Sequence, residues 1–109
     1  MSRADAFEDG MSRPLAMAAE AVRRDTAKQY GIPHDAPDAP QVTNVRPSEM
    51  PRDQYHPLAT HHITITHETP NATLHHVYGV DPSQEYMHNH TTAHVMKSTG
   101  RATTSFKPG

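Results

Sequence analysis

The sequence predicts a mostly irregular, extended chain with one or two short α-helices, a possible β-hairpin and no independent globular core. Leu, Ile, Val and Phe supply only 14 of the 109 residues, and a share below roughly 20% is typical of chains that build no core. Ten Pro interrupt regular structure. No Cys is present to form a disulfide. We therefore expect the chain to become ordered on a partner rather than as an independent monomer.

Residues 1–11 are interpreted as an N-terminal arm. Three acids fall within the first nine residues, which fits neither a secretory signal nor a mitochondrial presequence. The longest apolar stretch, residues 15–19, is far shorter than the ~20 residues that span a bilayer. These features predict a cytoplasmic protein that does not associate with a membrane.

Residues 12–31 predict an amphipathic helix. Ser12 is a favourable N-cap, Pro14 is tolerated in the first turn, and Gly31 supplies the stop. At helical spacing, one face collects small and apolar residues: Leu15, Ala18, Ala19, Val22, Thr26 and Tyr30. We expect Leu15, Val22 and Tyr30 to contact the partner.

Residues 32–60 predict a proline-rich, extended strap. Six Pro occur between positions 33 and 57, and their spacing excludes both a helix and a central strand. A flexible linker is the alternative. It would need a domain at each end, and neither end of this segment offers one.

Residues 61–80 alternate with a period of two and predict a β-hairpin with a loop wider than two residues. The self-consistent register pairs Ile63 with Tyr78, Ile65 with His76, and His67 with Leu74. Because a lone hairpin is marginal in water, we expect its apolar face to contact the partner through Ile63, Ile65, Leu74 and Tyr78.

Residues 81–97 predict a second short helix, since Asp81, Pro82 and Gln84 match a capping-box start. Residues 98–109 predict a basic, extended C-terminal tail. Together with Lys97 the tail contains Arg101 and Lys107 but no acid. We expect Arg101 and Phe106 to bind the partner through charge and burial.

Histidine is concentrated in the second half of the chain, where nine of the ten His lie between Gln54 and Met96. On the predicted second helix, His90 and His94 are spaced i, i+4, as two zinc or copper ligands would be. No Cys ligand or HExxH motif accompanies them. The favoured interpretation is that the chain holds no metal or other cofactor and that its His form hydrogen bonds at an interface. A His-rich metal-binding module and a pH-sensitive interface remain alternatives.

The sequence carries no catalytic signature and no glycine-rich phosphate loop, so the prediction is that the protein is not an enzyme. A formal net charge of −2 and a pI near 6.5 argue against nucleic-acid binding.

The segments APDAPQVTNVRPSEMPRDQYHP and STGRATTSFKPG resemble those of small microtubule inner proteins of ciliary and flagellar doublets. Such proteins combine a short helix with proline-punctuated straps and become ordered between tubulin protofilaments. The resemblance implies a structural accessory protein of the axoneme, part of the cytoskeleton, that binds tubulin and neighbouring inner proteins. A supernumerary subunit of a mitochondrial or ribosomal assembly is the alternative of similar style.

Overall fold

One helix and five antiparallel strands make up the described part of the chain. The computed structural model describes residues 12–48, 59–84 and 86–106, without the side chains of Tyr86, His90 and Phe106. The elements are α1 (Arg13–Gln29), β1 (Gln41–Pro47), β2 (His61–Glu68), β3 (Ala72–Asp81), a 3₁₀ helix (Pro82–Gln84), β4 (Tyr86–Met96) and β5 (Ala102–Phe106). The strands form one sheet in the order β1-β2-β3-β4-β5, so each strand pairs with its neighbour in sequence.

The predicted fold class, an extended chain with no globular core, is wrong. The radius of gyration is 13.8 Å, close to the roughly 13 Å of a compact 100-residue domain. The core lies between α1 and one face of the sheet and contains Leu15, Ala19, Val22, Val42, Ile63, Ile65, Tyr78 and Val80. The prediction failed because it counted large aliphatic residues, whereas Ala, Thr, Tyr and His complete this interior.

Helix α1 lies inside the segment where the sequence placed it. Ser12 is the N-cap, and its Oγ accepts a hydrogen bond from the Leu15 N–H at 3.4 Å. Gly31 follows the helix with φ of 68°, a conformation that residues with a side chain rarely adopt. The apolar stripe of α1 faces the sheet. Away from the stripe, Glu20 forms ion pairs with Arg23 and Arg24, and the Arg23 guanidinium also donates to the Pro40 carbonyl oxygen at 3.3 Å.

Strands β2 and β3 form the predicted hairpin with the predicted register. Ile63 lies opposite Tyr78, and Ile65 lies opposite His76. The three-residue connection is closed by Thr69, whose backbone N–H donates to the Ala72 carbonyl oxygen at 2.8 Å. The apolar face of this hairpin packs against α1 of the same chain, which supplies the covering surface that the sequence analysis assigned to a partner.

The second helix predicted for residues 81–97 is also wrong, because β4 occupies this segment. Asp81 does act as a cap, since its Oδ1 accepts from the Ser83 N–H at 3.0 Å, but the helix that follows is one 3₁₀ turn. Thr91, Thr92 and Val95 favour a strand. Backbone pairing with β3 stabilises the strand that these residues favour.

The predicted strap and tail each contribute an outer strand of the described sheet. Residues 41–47 of the strap form β1 and end at Pro47, a position that an edge strand tolerates. Residues 102–106 of the tail form β5, which follows a turn at Gly100 with φ of 71°. The N-terminal arm, residues 49–58 of the strap and residues 107–109 lie outside the described residues.

Candidate functional site

The end of α1 holds Tyr30 against two histidines of the sheet. The Tyr30 ring stacks on His67, with centroids 4.4 Å apart and an interplanar angle of 28°. Its hydroxyl oxygen lies 2.6 Å from His76 Nε2. Both histidines are buried, and the register of β2 and β3 places them on the helix-facing side of the sheet. Together with Asn89 and Thr92 of β4, these residues form a group that we call the Tyr30 cluster.

Both ring nitrogens of His76 lie within hydrogen-bond distance of side chains in the cluster. His76 Nδ1 lies 3.1 Å from Thr92 Oγ1 and 3.4 Å from Asn89 Nδ2. A neutral imidazole has one donor and one acceptor nitrogen, so His76 can form one bond of each kind within the cluster. His76 therefore links the Tyr30 hydroxyl on one side to Thr92 and Asn89 on the other.

Burial keeps both members of this bond uncharged at neutral pH. It lowers the pKa of His76 below its ordinary value of 6.5, with smaller contributions from the nearby His67 and His75. Burial also raises the pKa of Tyr30. His67 Nδ1 and Asn89 Oδ1 are buried without a hydrogen-bond partner among the described residues. The cluster is therefore a polar patch at which an ordered water would find donors and acceptors.

A second polar group lies beside it, around the Tyr78 hydroxyl. That hydroxyl is 3.0 Å from Thr26 Oγ1, donates to Asp25 Oδ2 at 3.0 Å, and accepts from Gln29 Nε2 at 3.3 Å. Burial of the hydroxyl is the main cause that raises the pKa of Tyr78 to about 12. Since the partners on α1 come from its last two turns, this group fixes the C-terminal half of the helix on the sheet.

An apolar groove lies at the other end of α1. Its cavity volume is about 480 Å³, and its lining comes from the first half of α1, the 3₁₀ helix and β4: Arg13, Pro14, Met17, Ala18, Ala21, Pro82 and Met87. Met17 and Met87 are 63% and 47% exposed. A concave, mostly apolar surface of this volume is typical of ligand sites, and exposed Met side chains adapt to varied partners.

The sequence analysis missed this groove because its residues come from two distant segments. Within α1, Met17 and Ala21 lie outside the predicted apolar stripe. Apolar residues in those positions were the signal in the sequence that pointed to an exposed apolar surface. Met87 was assigned to a helix that does not exist. Its position beside α1 depends on the β3–β4 ladder.

The structure places the predicted partner-binding residues in different environments. Five of them belong to the core of the chain itself: Leu15, Val22, Ile63, Ile65 and Tyr78. Tyr30 belongs to the Tyr30 cluster, and Leu74 is half-buried on β3. Arg101 is exposed before β5, and the side chain of Phe106 lies outside the described residues.

The metal candidates lie on a strand, which changes their geometry. Four residues along a regular strand span about 13 Å at ~3.3 Å per residue, compared with about 6 Å along a helix, so the i, i+4 spacing loses the meaning it has on one face of a helix. His94 is exposed, and the side chain of His90 lies outside the described residues. Within residues 12–48, 59–84 and 86–106, no three His, Asp or Glu side chains converge on a point that would hold a metal.

Comparison of the chain with protein-family models, curated proteins and solved structures finds no match. In the part of the chain that the structure describes, the helix is too short and too polar to cross a membrane.

Proposed function

We propose that the protein is a non-catalytic binding domain and that the groove beside Met17 and Met87 is its binding surface. The observation that carries the proposal is that two large, exposed apolar side chains, one from α1 and one from β4, line the same cavity. Each exposes apolar area to water, and a partner that covers both gains about 25 cal/mol for each Å² removed from solvent.

The chemistry of the Tyr30 cluster supports the non-catalytic part of the proposal. A nucleophilic or basic tyrosine needs a lowered pKa or an adjacent base that accepts its proton. Here burial raises the pKa of Tyr30, which keeps its hydroxyl protonated. The contacts of Tyr30 and His76 join α1 to β2, β3 and β4, which is a structural role.

Binding of a neutral apolar dye, Nile red, tests the groove directly. Ala21 is exposed and lines the groove, so Ala21→Gln puts a larger, polar side chain into it. Ala102 is also exposed but lies on β5, which makes Ala102→Gln the matched control. We expect the Ala21→Gln variant to lose most of the dye fluorescence and the Ala102→Gln variant to keep it. Equal fluorescence from both variants would remove the groove as the binding surface.

We also propose, from the sequence resemblance, that the protein binds tubulin. The same resemblance implies a location in the axoneme, part of the cytoskeleton. The basic tail on which that idea depends is partly neutralised, because Lys97 Nζ lies 2.9 Å from Glu68 Oε2. Exposed Arg101 retains its charge for an acidic partner surface. We expect co-sedimentation with assembled microtubules to weaken in an Arg101→Gln variant, and no co-sedimentation of the unaltered chain would reject tubulin.

A further inference from the structure

We propose that the groove binds an anionic amphiphile, whose alkyl chain lies between Met17 and Met87 and whose carboxylate is bound by Arg13. This inference rests on the proposed binding function and specifies the ligand class. The Met and Pro side chains account for the apolar part of the ligand. Arg13 accounts for its charge.

The shape and lining of the groove suit a flexible alkyl chain. Its volume of about 480 Å³ falls within the roughly 300–1,000 Å³ of small-molecule sites. Pro14 and Pro82 form rigid parts of the lining, while the unbranched thioether side chains of Met17 and Met87 adjust to the ligand. Ala18 and Ala21 keep the helix side of the groove open, because their side chains end at Cβ.

Arg13 is the charged member of this lining among the described residues. The ion pairs in that part of the chain involve Arg23, Arg24 and Lys97 rather than Arg13. The first turn of α1 also contains no acid. Among the described residues, an exposed guanidinium with no carboxylate partner therefore lies at one side of an apolar cavity, and its planar donor groups match a carboxylate in a bidentate arrangement.

Three of the first backbone positions of α1 offer no free N–H group to an anion. Ser12 Oγ occupies the Leu15 N–H, and the Ser12 carbonyl oxygen accepts from the Ala16 N–H. Pro14 has no N–H to donate. Recognition of the carboxylate therefore falls to the Arg13 side chain, so that replacing this side chain alone isolates the charge contribution.

Two other occupants of the groove lead to different results. A neutral apolar molecule would contact the Met residues and form no ion pair with Arg13. An apolar helix of a partner protein would cover the same surface without requiring a negative charge. The negative charge of the ligand is thus the feature to test.

Calorimetric titration of the full chain with decanoate, and separately with decanol, measures how much the negative charge of the ligand contributes to binding. We expect decanoate to bind about tenfold more tightly than decanol, as a charge-assisted hydrogen bond allows. Arg13→Gln should remove this difference by weakening decanoate and leaving decanol unchanged. Arg24→Gln is the matched control, because Arg24 is an exposed arginine of the same helix that does not line the groove.

The outcomes separate this inference from the function on which it rests. Equal affinities for decanoate and decanol, or no effect of Arg13→Gln, would overturn anion recognition while leaving the apolar groove intact. Failure of both ligands to bind, together with a failed Nile red test, would overturn the groove itself. Circular dichroism of each variant verifies that it retains the helix and sheet.

Discussion

The two halves of α1 contact their surroundings in different ways. In the C-terminal half, Thr26 and Gln29 reach the Tyr78 hydroxyl, and Tyr30 reaches His76. In the N-terminal half, Leu15 and Ala19 pack on the core, and Met17 is left exposed over the groove. Directional polar bonds thus fix one end of the helix, whereas the other end keeps apolar surface in reach of a ligand. This difference predicts that stability and binding can be altered separately.

The largest effect on stability is expected from Tyr78→Phe. The substitution keeps the ring in the core but removes the hydroxyl that bonds Asp25, Thr26 and Gln29. Its partners lose a buried hydrogen-bonding group, at a cost of about 1–3 kcal/mol. Urea denaturation measures the change in the free energy of unfolding. A loss below about 0.5 kcal/mol, within the range of neutral surface substitutions, would mean that the hydroxyl does not anchor the helix.

A smaller effect is expected on lowering the pH. Because the pKa of His76 is below 6.5 in the folded protein, the unfolded chain binds a proton at higher pH than the folded one. Stability is therefore highest above pH 6.5 and declines as the pH falls from there toward the folded-state pKa. Thermal denaturation at a series of pH values tests this, with His76→Gln as the comparison. An equally steep decline in the variant would assign the effect to other histidines.

The smallest effect on stability is expected from Met17→Gln. Met17 is 63% exposed, and Gln and Met have similar helix propensities, so the free energy of unfolding should change by no more than about 0.5 kcal/mol. Decanol binding should nevertheless weaken, because the substitution makes one wall of the groove polar. A variant that is strongly destabilised, or that binds decanol normally, would contradict the separation between the two halves of α1.

Local sequence signals predicted the parts of the fold that depend on neighbours in the chain. Ser12 and Gly31 indicated both ends of α1, because an N-cap oxygen and a positive φ act within one turn. Alternation over residues 61–80 indicated the hairpin and its register, because a slip by one residue would turn Ile63 and Ile65 away from the core.

The tertiary structure decided the remaining features. The segment after Asp81 has a helix-like start, yet it became β4 because β3 offered a ladder along its whole length. The core exists because α1 covers the hairpin, a contact between distant segments that composition does not reveal. Likewise, Met17 and Met87 line the same groove only after folding. The Tyr30 cluster brings the end of the helix into contact with three strands. The sequence by itself determined caps, turns and strand alternation, since these act over a few residues. Only folding brought together the surfaces that bury the core and form the candidate site.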